Sequence, residues 1–138
     1  MSSIEEFLPK PFLSALAHLR DARDPDAKVE AAKDNFAFVW VNDIRKNTAD
    51  EKAGGWIRLP LAFPHANPHG LINREALKRR DGSNVTDAYN PGHDICKPVS
   101  ALGGAHYYSW TWQGAPSLRS PADIIAVVQW YERRIRNG

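Results

Sequence analysis

The clearest strand signal in this chain is the stretch Trp56-Ile57-Arg58-Leu59-Pro60-Leu61-Ala62-Phe63. Its larger apolar side chains recur at every second position, on the face of Ile57, Leu59, Leu61 and Phe63. This period of two predicts a β-strand with one face against a core. Because Pro60 has no N–H to donate, we expect the strand to lie at a sheet edge or to turn that position away from its neighbour.

A second strand is predicted from Phe36 to Ile44, where aromatic and β-branched residues are dense. The segment from Ala27 to Lys33 is compatible with an extension of this strand or with a helical turn, and Leu71-Ile72 with one more short strand. Polar composition predicts loops at Asn47 to Gly55 and at Arg74 to Asn90, the latter with a helical turn near Glu75 to Arg79. The simplest arrangement is two antiparallel strands covered by helices.

A helix is predicted near each end of the chain. Ser3-Ile4-Glu5-Glu6 has the spacing of a capping box, and Pro11 suits the first turn of an amphipathic helix that Asp24-Pro25-Asp26 ends. Near the other end, Ser120-Pro121-Ala122-Asp123 has the pattern of a helix cap. It precedes an apolar stripe of Ile124, Ile125, Val128, Tyr131 and Ile135. The class predicted is α/β, with this last helix packed on the sheet.

Composition indicates an ordinary globular domain. The chain has 138 residues, of which 43% are hydrophobic and 25% charged, as expected for one domain. A formal charge of +2 gives no general reason to expect nucleic acid binding. Two local basic clusters, Lys78 to Arg80 and Arg133 to Arg136, are expected to be solvated or to dock an acidic partner.

The sequence also predicts a cytoplasmic protein. Its single cysteine cannot form an internal disulfide, so no oxidising compartment is needed. Glu5 and Glu6 stand where a secretory signal would have basic residues, and no apolar run reaches the length of a membrane span. We therefore expect neither secretion nor membrane association.

The stretch from Asn90 to Trp112 holds the only cysteine, Cys96, with His93 and Asp94 before it and His106 ten residues after it. Its glycines and prolines predict an irregular segment near the surface, where functional groups usually lie. A free thiol there is a candidate nucleophile, which a nearby imidazolium would activate and a carboxylate would oppose. A lone cysteine is equally compatible with an inert, buried small hydrophobe.

The order of these elements resembles the ubiquitin-conjugating enzyme superfamily. The stretch Gly54 to Pro68 is similar to the family's strand with Gly-Gly, an aromatic, alternating apolar residues, Phe-Pro and a second proline. Gly92 to Cys96 looks like the Gly-x-Ile-Cys segment around the family's catalytic thiol, and Ser120 to Val128 like the helix that follows it. The resemblance covers the chain from about Phe36 onward and implies one domain with this fold.

This sequence lacks the family's usual His-Pro-Asn triplet, and Asn90-Pro91 is the nearest segment to it. The resemblance is therefore to bacterial members that lack the triplet and have a histidine after the cysteine, here His106. It implies that Cys96 carries a ubiquitin-like protein as a thioester, received from an activating enzyme and passed to an amine. A deconjugating peptidase in the same operon is a further implied partner, whereas no metal or cofactor is implied.

The transfer reaction suggests roles for the polar residues around the cysteine. Asn90 and His106 are candidates to stabilise the oxyanion, although Asn90 is equally a turn residue before a proline. His93 and His106 are candidates to lower the pKa of the thiol. His106 or Asp94 could deprotonate the attacking amine.

Three other functions remain open at the level of sequence. The first is a metal site, built from His65, His69, His93, Cys96 and His106. The second is a binding module for a ubiquitin-like protein that has the same fold and no chemistry. The third is a hydrolase that uses Cys96, His106 and an aspartate, because triads occur in any order along a chain.

Overall fold

The computed structural model describes residues 4–42, 44, 54–112 and 118–137, and these form an α+β fold. The helices are α1 (Lys10–Ala22), α2 (Lys97–Ser100) and α3 (Ile124–Asn137), and 3-10 turns lie at Glu5–Phe7, Asp94–Cys96 and Pro121–Asp123. The strands are β1 (Lys28–Lys33), β2 (Phe36–Val41), β3 (Gly55–Pro60), β4 (His69–Asn73), β5 (Tyr89–Pro91) and β6 (His106–Thr111). The predicted mixed class, with an antiparallel sheet and a helix towards each end, is confirmed. Ser3 and most of the predicted 47–55 loop lie outside the described residues.

These strands form one six-stranded sheet in the order β1-β2-β3-β4-β6-β5, with every neighbouring pair antiparallel. The sheet is thus larger than the two-strand arrangement predicted. The alternative that β3 lies at an edge was wrong, because β3 lies between β2 and β4. Pro60 is tolerated there as its last residue, opposite Phe36, while β4 pairs with Trp56 and Ile57 at the other end of β3.

A two-residue hairpin turn, Asp34-Asn35, joins β1 to β2. Both turn residues have positive φ, 55° and 67°, as in the type I′ turns whose twist matches that of the flanking strands. The register places Lys33 opposite Phe36. The segment Ala27 to Lys33, which the sequence left between strand and helical turn, therefore contains a strand of its own.

The two faces of the sheet are covered unequally. One face packs against α1 and α3 and carries the larger core, which includes Phe12, Leu16, Leu19, Val39, Ile57, Leu59, Leu71, Tyr108, Val128 and Tyr131. The other face carries a smaller buried cluster of Phe38, Trp56, Ile72, Cys96, Val99 and Tyr107. The cover on this second face comes from the Asp94–Cys96 turn and α2. The alternation read from β3 is confirmed, since Ile57 and Leu59 lie in the larger core and Trp56 in the smaller one.

The phenol of Tyr131 on α3 connects two strands where their pairing is irregular. Its hydroxyl accepts a hydrogen bond from the Gly70 amide and donates one to the Trp110 carbonyl, each 2.9 Å long. The pairing of β4 with β6 shifts between His69 and Leu71 at this point. Gly70 has a φ of +104°, and a Cβ there would lie 2.3 Å from the Tyr107 ring, so both conformation and contact favour glycine. A side chain of the helix thus satisfies two backbone groups of the sheet.

An ion pair joins the carboxyl end of α1 to the middle of α3. Arg23, just after α1, donates two hydrogen bonds of 2.6 Å to the carboxylate of Glu132 on α3. The Glu132 side chain is only 4% exposed, and that of Arg23 is 19% exposed. The geometry is the bidentate fork that makes arginine–carboxylate pairs strong. It holds together the two helices that cover one face of the sheet.

The predicted caps at α3 are confirmed. The Asp123 carboxylate accepts hydrogen bonds from the backbone amides of Arg119 (2.7 Å) and Ser120 (2.9 Å), and these bonds lower its pKa, the Arg119 bond most. Pro11 likewise lies in the first turn of α1, as expected. Among the described ranges, no helix has the length and apolarity needed to cross a membrane.

Two predictions for the second half of the chain were wrong. Residues Glu75 to Arg79 form no helical turn, and Lys78 instead pairs with Asn84 in an isolated antiparallel bridge. The segment after Cys96 is not irregular throughout, because His106 to Thr111 form β6 inside the sheet. Large aromatics lie on both faces of β6, Tyr107 on one and Tyr108 and Trp110 on the other, so its sequence lacks the alternation that identified β3.

Candidate functional site

Cys96 is the last residue of the Asp94–Cys96 turn and directly precedes α2. It is 3% exposed and belongs to the cluster with Phe38, Trp56 and Tyr107 on the second face of the sheet. The prediction of a thiol near the surface was therefore wrong. The turn itself is exposed at His93 and Asp94, but it directs Cys96 inwards against the strands.

Burial raises the pKa of the Cys96 thiol to about 11. At that pKa only about one molecule in ten thousand carries the thiolate at pH 7. The single cause of the shift is the removal of the sulfur from water, with no contribution from a neighbouring imidazolium. In this arrangement the thiol is a buried, protonated group.

Three of the predicted site residues lie on the same side of the sheet as Cys96. His93 immediately precedes the turn; its Nδ1 accepts a hydrogen bond of 3.0 Å from the Ile95 amide, and its ring centroid lies 5.1 Å from that of Tyr107. Asp94 is exposed and lies 3.8 Å from Lys97 Nζ. Asn90, on the edge strand β5, lies opposite Tyr107, and residues directly opposite share a face.

The structure does not bring His106 to Cys96. Side chains alternate along β6, so His106 and Tyr107 point to opposite faces, and Tyr107 is the one packed in the Cys96 cluster. His106 Nδ1 instead lies 2.5 Å from the Tyr89 hydroxyl, with the two rings stacked 5.7 Å apart. An imidazole there can hold or move a proton on its own face, with a phenol as its partner.

A polar network that sequence reasoning missed lies on the Cys96 face. The Tyr107 hydroxyl is 2.9 Å from His69 Nδ1, and Arg58 Nη1 is 3.4 Å from the same nitrogen. Because an arginine N–H can only donate, this contact suits the tautomer of His69 that accepts at Nδ1 and carries its proton at Nε2. The Arg58 guanidinium also lies 3.7 Å from the centre of the Phe36 ring. The signal available in the sequence was Arg58 itself, a charge on a strand that is otherwise apolar.

A small cavity of about 120 Å³ lies beside the cysteine turn. It is lined by Lys33, Asp34, Phe38, Arg58, Asp94, Ile95 and Pro98. Arg58 thus contributes both to the polar network and to the wall of this cavity. Both signs of charge border a space large enough for a few non-hydrogen atoms of a ligand, immediately next to the turn that holds the thiol.

The structure gives no support to the alternative of a metal site within the described ranges. Among the residues there, no three His, Cys, Asp or Glu side chains lie together so as to hold a metal ion. His69 and His106, for example, have tyrosine hydroxyls as their nearest polar partners.

Comparison with known proteins adds no candidate function. No protein-family model matches the chain, and neither the curated proteins nor the solved structures contain a match to it.

Proposed function

We propose that this chain is a ubiquitin-conjugating-enzyme-like protein that carries a ubiquitin-like modifier as a thioester on Cys96 and passes it to an amine. The observation that carries the proposal is the position of the only cysteine, at a tight turn beside a cavity, on the sheet face that α1 and α3 leave uncovered. The order of helix, antiparallel strands, cysteine turn and helix supports the same family of folds. Cytoplasmic location belongs to this proposal.

Acyl transfer to Cys96 requires the turn to open. The thiol is 3% exposed, so the carbonyl of a protein-sized thioester cannot reach the sulfur while α2 is in place. The cover consists of a three-residue turn and the four residues of α2, and Ile95, Cys96 and Val99 are its side chains in the apolar cluster. So short a segment opens at far smaller cost than the whole domain. Binding of the activating enzyme would select this open state.

The raised pKa of the thiol belongs to the closed turn, because burial causes it, so the pKa falls towards its ordinary value once the turn opens for charging. In the charging step the Cys96 sulfur attacks the thioester of the activating enzyme, loses its proton and expels that enzyme's thiolate. In the transfer step an amine attacks the same carbonyl, gives up a proton, and expels the Cys96 thiolate.

The polar residues on the Cys96 face divide the remaining tasks. The Asn90 amide is the candidate donor to the oxyanion, and His93 or Asp94 the candidate acceptor of the amine proton. Both His93 and Asp94 are exposed on the turn and would move with it. His106 acts in this scheme only if opening of the turn also carries the thiol past the sheet edge.

A second candidate is a binding module of the same fold that performs no chemistry. The burial of Cys96 favours it, because buried cysteines most often act as small hydrophobes. In that case the sheet face and its cavity would bind a ubiquitin-like protein without forming a covalent bond. The two candidates differ in one outcome, the presence of a thioester.

The test is to co-express the chain with the genes that flank its own and to look by non-reducing mass spectrometry for an adduct sensitive to added thiol. The conjugating function predicts an adduct that Cys96→Ala abolishes. Cys96→Ser is the matched variant, because its ester would resist thiols. Far-ultraviolet circular dichroism shows that each variant is folded. If a co-expressed activating enzyme is itself charged and wild-type Cys96 is not, the binding module is the correct function.

A further inference from the structure

The fold brings together two basic clusters that lie more than fifty residues apart in the sequence. One is Lys78-Arg79-Arg80 in the connection between β4 and β5, and the other includes Arg133 and Arg136 near the end of α3. We propose that they form one docking surface for an acidic segment of a partner protein. This surface involves neither Cys96 nor its cavity, so the proposal is independent of the conjugating function.

The first cluster is presented by a tight turn that is hydrogen-bonded on both sides. The Gly82 amide donates to the Arg79 carbonyl (2.9 Å), and the Arg79 amide donates to the Ser83 carbonyl (2.8 Å). Below them, the Val85 amide donates to the Leu77 carbonyl, and both of these side chains are buried. Gly82 has a φ of +88°, which a glycine adopts without strain. These hydrogen bonds and buried side chains fix the conformation of the turn, and Arg80 lies at its tip.

Arg79 attaches this turn to the end of α3. Its Nε donates to the Arg136 carbonyl (3.2 Å) and its Nη1 to the Asn84 carbonyl (3.1 Å). A cation is favourable at the carboxyl end of a helix, where the carbonyls carry partial negative charge. Both acceptors are neutral carbonyls, so these two bonds fix the position of the guanidinium without cancelling its charge.

The two segments enclose a cleft of about 280 Å³ lined by Arg79, Arg80, Asp81 and Arg136. Three arginines thus line the cleft together with one aspartate. Asp81 accepts hydrogen bonds from the Ser83 hydroxyl (2.6 Å) and amide (2.9 Å), and these bonds lower its pKa, the hydroxyl most. The carboxylate therefore stays ionised. Exposed Lys78 and Arg133 extend the positive surface beyond the cleft.

The presence of Asp81 selects between two kinds of anionic partner. A nucleic acid backbone is uniformly negative and would place phosphates against this fixed carboxylate. An acidic protein segment can place carboxylates against the arginines and a neutral or donor group against Asp81. Guanidinium groups bind carboxylates in a bidentate manner, which matches an array of Glu and Asp side chains. The mixed charge of the cleft therefore favours a protein partner.

The test uses fluorescence anisotropy with a labelled peptide of alternating glutamate and serine, and with a labelled single-stranded oligonucleotide of equal charge. At an ionic strength of about 10 mM, where the Debye length is about 30 Å, we expect the peptide to bind more tightly than the oligonucleotide. The double variant Arg80→Gln/Arg136→Gln should weaken peptide binding by about fivefold to tenfold. It leaves the Arg136 carbonyl, and with it the Arg79 anchor, in place.

The matched control is Lys10→Gln/Arg119→Gln, which removes two exposed charges elsewhere and should change the affinity less than twofold. Equal losses in both double variants would mean that only net charge matters, which overturns the proposal. Tighter binding of the oligonucleotide than of the peptide would refute an acidic protein as the partner and indicate a nucleic acid instead. No measurable binding of the peptide at low salt would refute the docking surface altogether.

Discussion

The state of the Cys96 thiol predicts its rate of alkylation by iodoacetamide. At pH 7 a thiol of pKa about 11 is ionised about 300-fold less than a free cysteine of pKa about 8.5. The more basic thiolate is intrinsically more reactive, by roughly tenfold at a Brønsted slope of about 0.45. The native protein should therefore react about 30-fold more slowly than the denatured chain at pH 7, before any steric shielding is counted.

The assay is intact-mass spectrometry of the wild-type chain between pH 6 and about pH 10, in buffer and in denaturant. As Cys96 is the only cysteine, a single mass shift reports its reaction. In buffer the rate should rise tenfold per pH unit without levelling, because this range lies below the raised pKa. In denaturant it should level near pH 8.5. Native and denatured rates that agree within twofold at pH 7 would refute the buried, protonated thiol.

A third outcome has a distinct meaning. If the native rate is low but levels near pH 8.5, the reaction proceeds through a locally opened state in which the thiol has its ordinary pKa. The ratio of native to denatured rates then gives the fraction of molecules with the turn open. That result would contradict the direct reaction assumed above and would support the opening step of the proposed transfer.

Three further variants test the fold by chemical denaturation, each against the wild type. Tyr131→Phe removes the hydroxyl that bonds to Gly70 and Trp110 and should cost about 1–3 kcal/mol, whereas no loss would mean that water replaces it. Arg23→Ala leaves Glu132 buried without its bidentate partner and should cost about 3 kcal/mol; the double variant with Glu132→Gln should recover part of this, and an additive loss would contradict the pairing. Asn35→Val places a β-branched residue at a φ of 67° and should cost about 1–2 kcal/mol, while Asn35→Gly should be nearly neutral; equal losses would argue against the type I′ turn.

Local patterns in the sequence predicted the elements whose signals are local. The alternation that begins at Trp56 and the cap at Ser120 to Asp123 each depend on residues within one strand or one turn. Both were found, although the strand ends at Pro60 and residues 61–63, which the prediction included, form a turn. The β1–β2 hairpin was not recognised, because Asp34-Asn35 lacks the glycine that commonly identifies such a turn. β6 was missed because it carries large aromatics on both faces, which hides the period of two.

The candidate site was less predictable because distant residues create it. The environment of Cys96 comes from Phe38, Trp56 and Tyr107, which lie on three different strands. Sequence spacing gave no information on which face of β6 would carry His106, so its separation from the thiol was not foreseeable. The contacts between Arg58 and His69 depend equally on the pairing of strands. The residue types in the sequence indicated which chemistry was available. Only the register of the strands in the structure indicated which side chains lie in contact.

The unequal covering of the sheet has a consequence for how this molecule loses structure. The helices α1 and α3, joined by the Arg23–Glu132 ion pair, cover one face of the sheet. On the other face a segment of only seven residues is the main cover over Cys96. Under mildly denaturing conditions the seven-residue cover should unfold first, while the face packed against α1 and α3 keeps the strands in order. We therefore expect a native-like excited state in which the thiol is in water and the sheet keeps its order. Alkylating reagents, oxidants and protein partners would then react with or bind Cys96 through that locally opened state rather than through the globally unfolded chain.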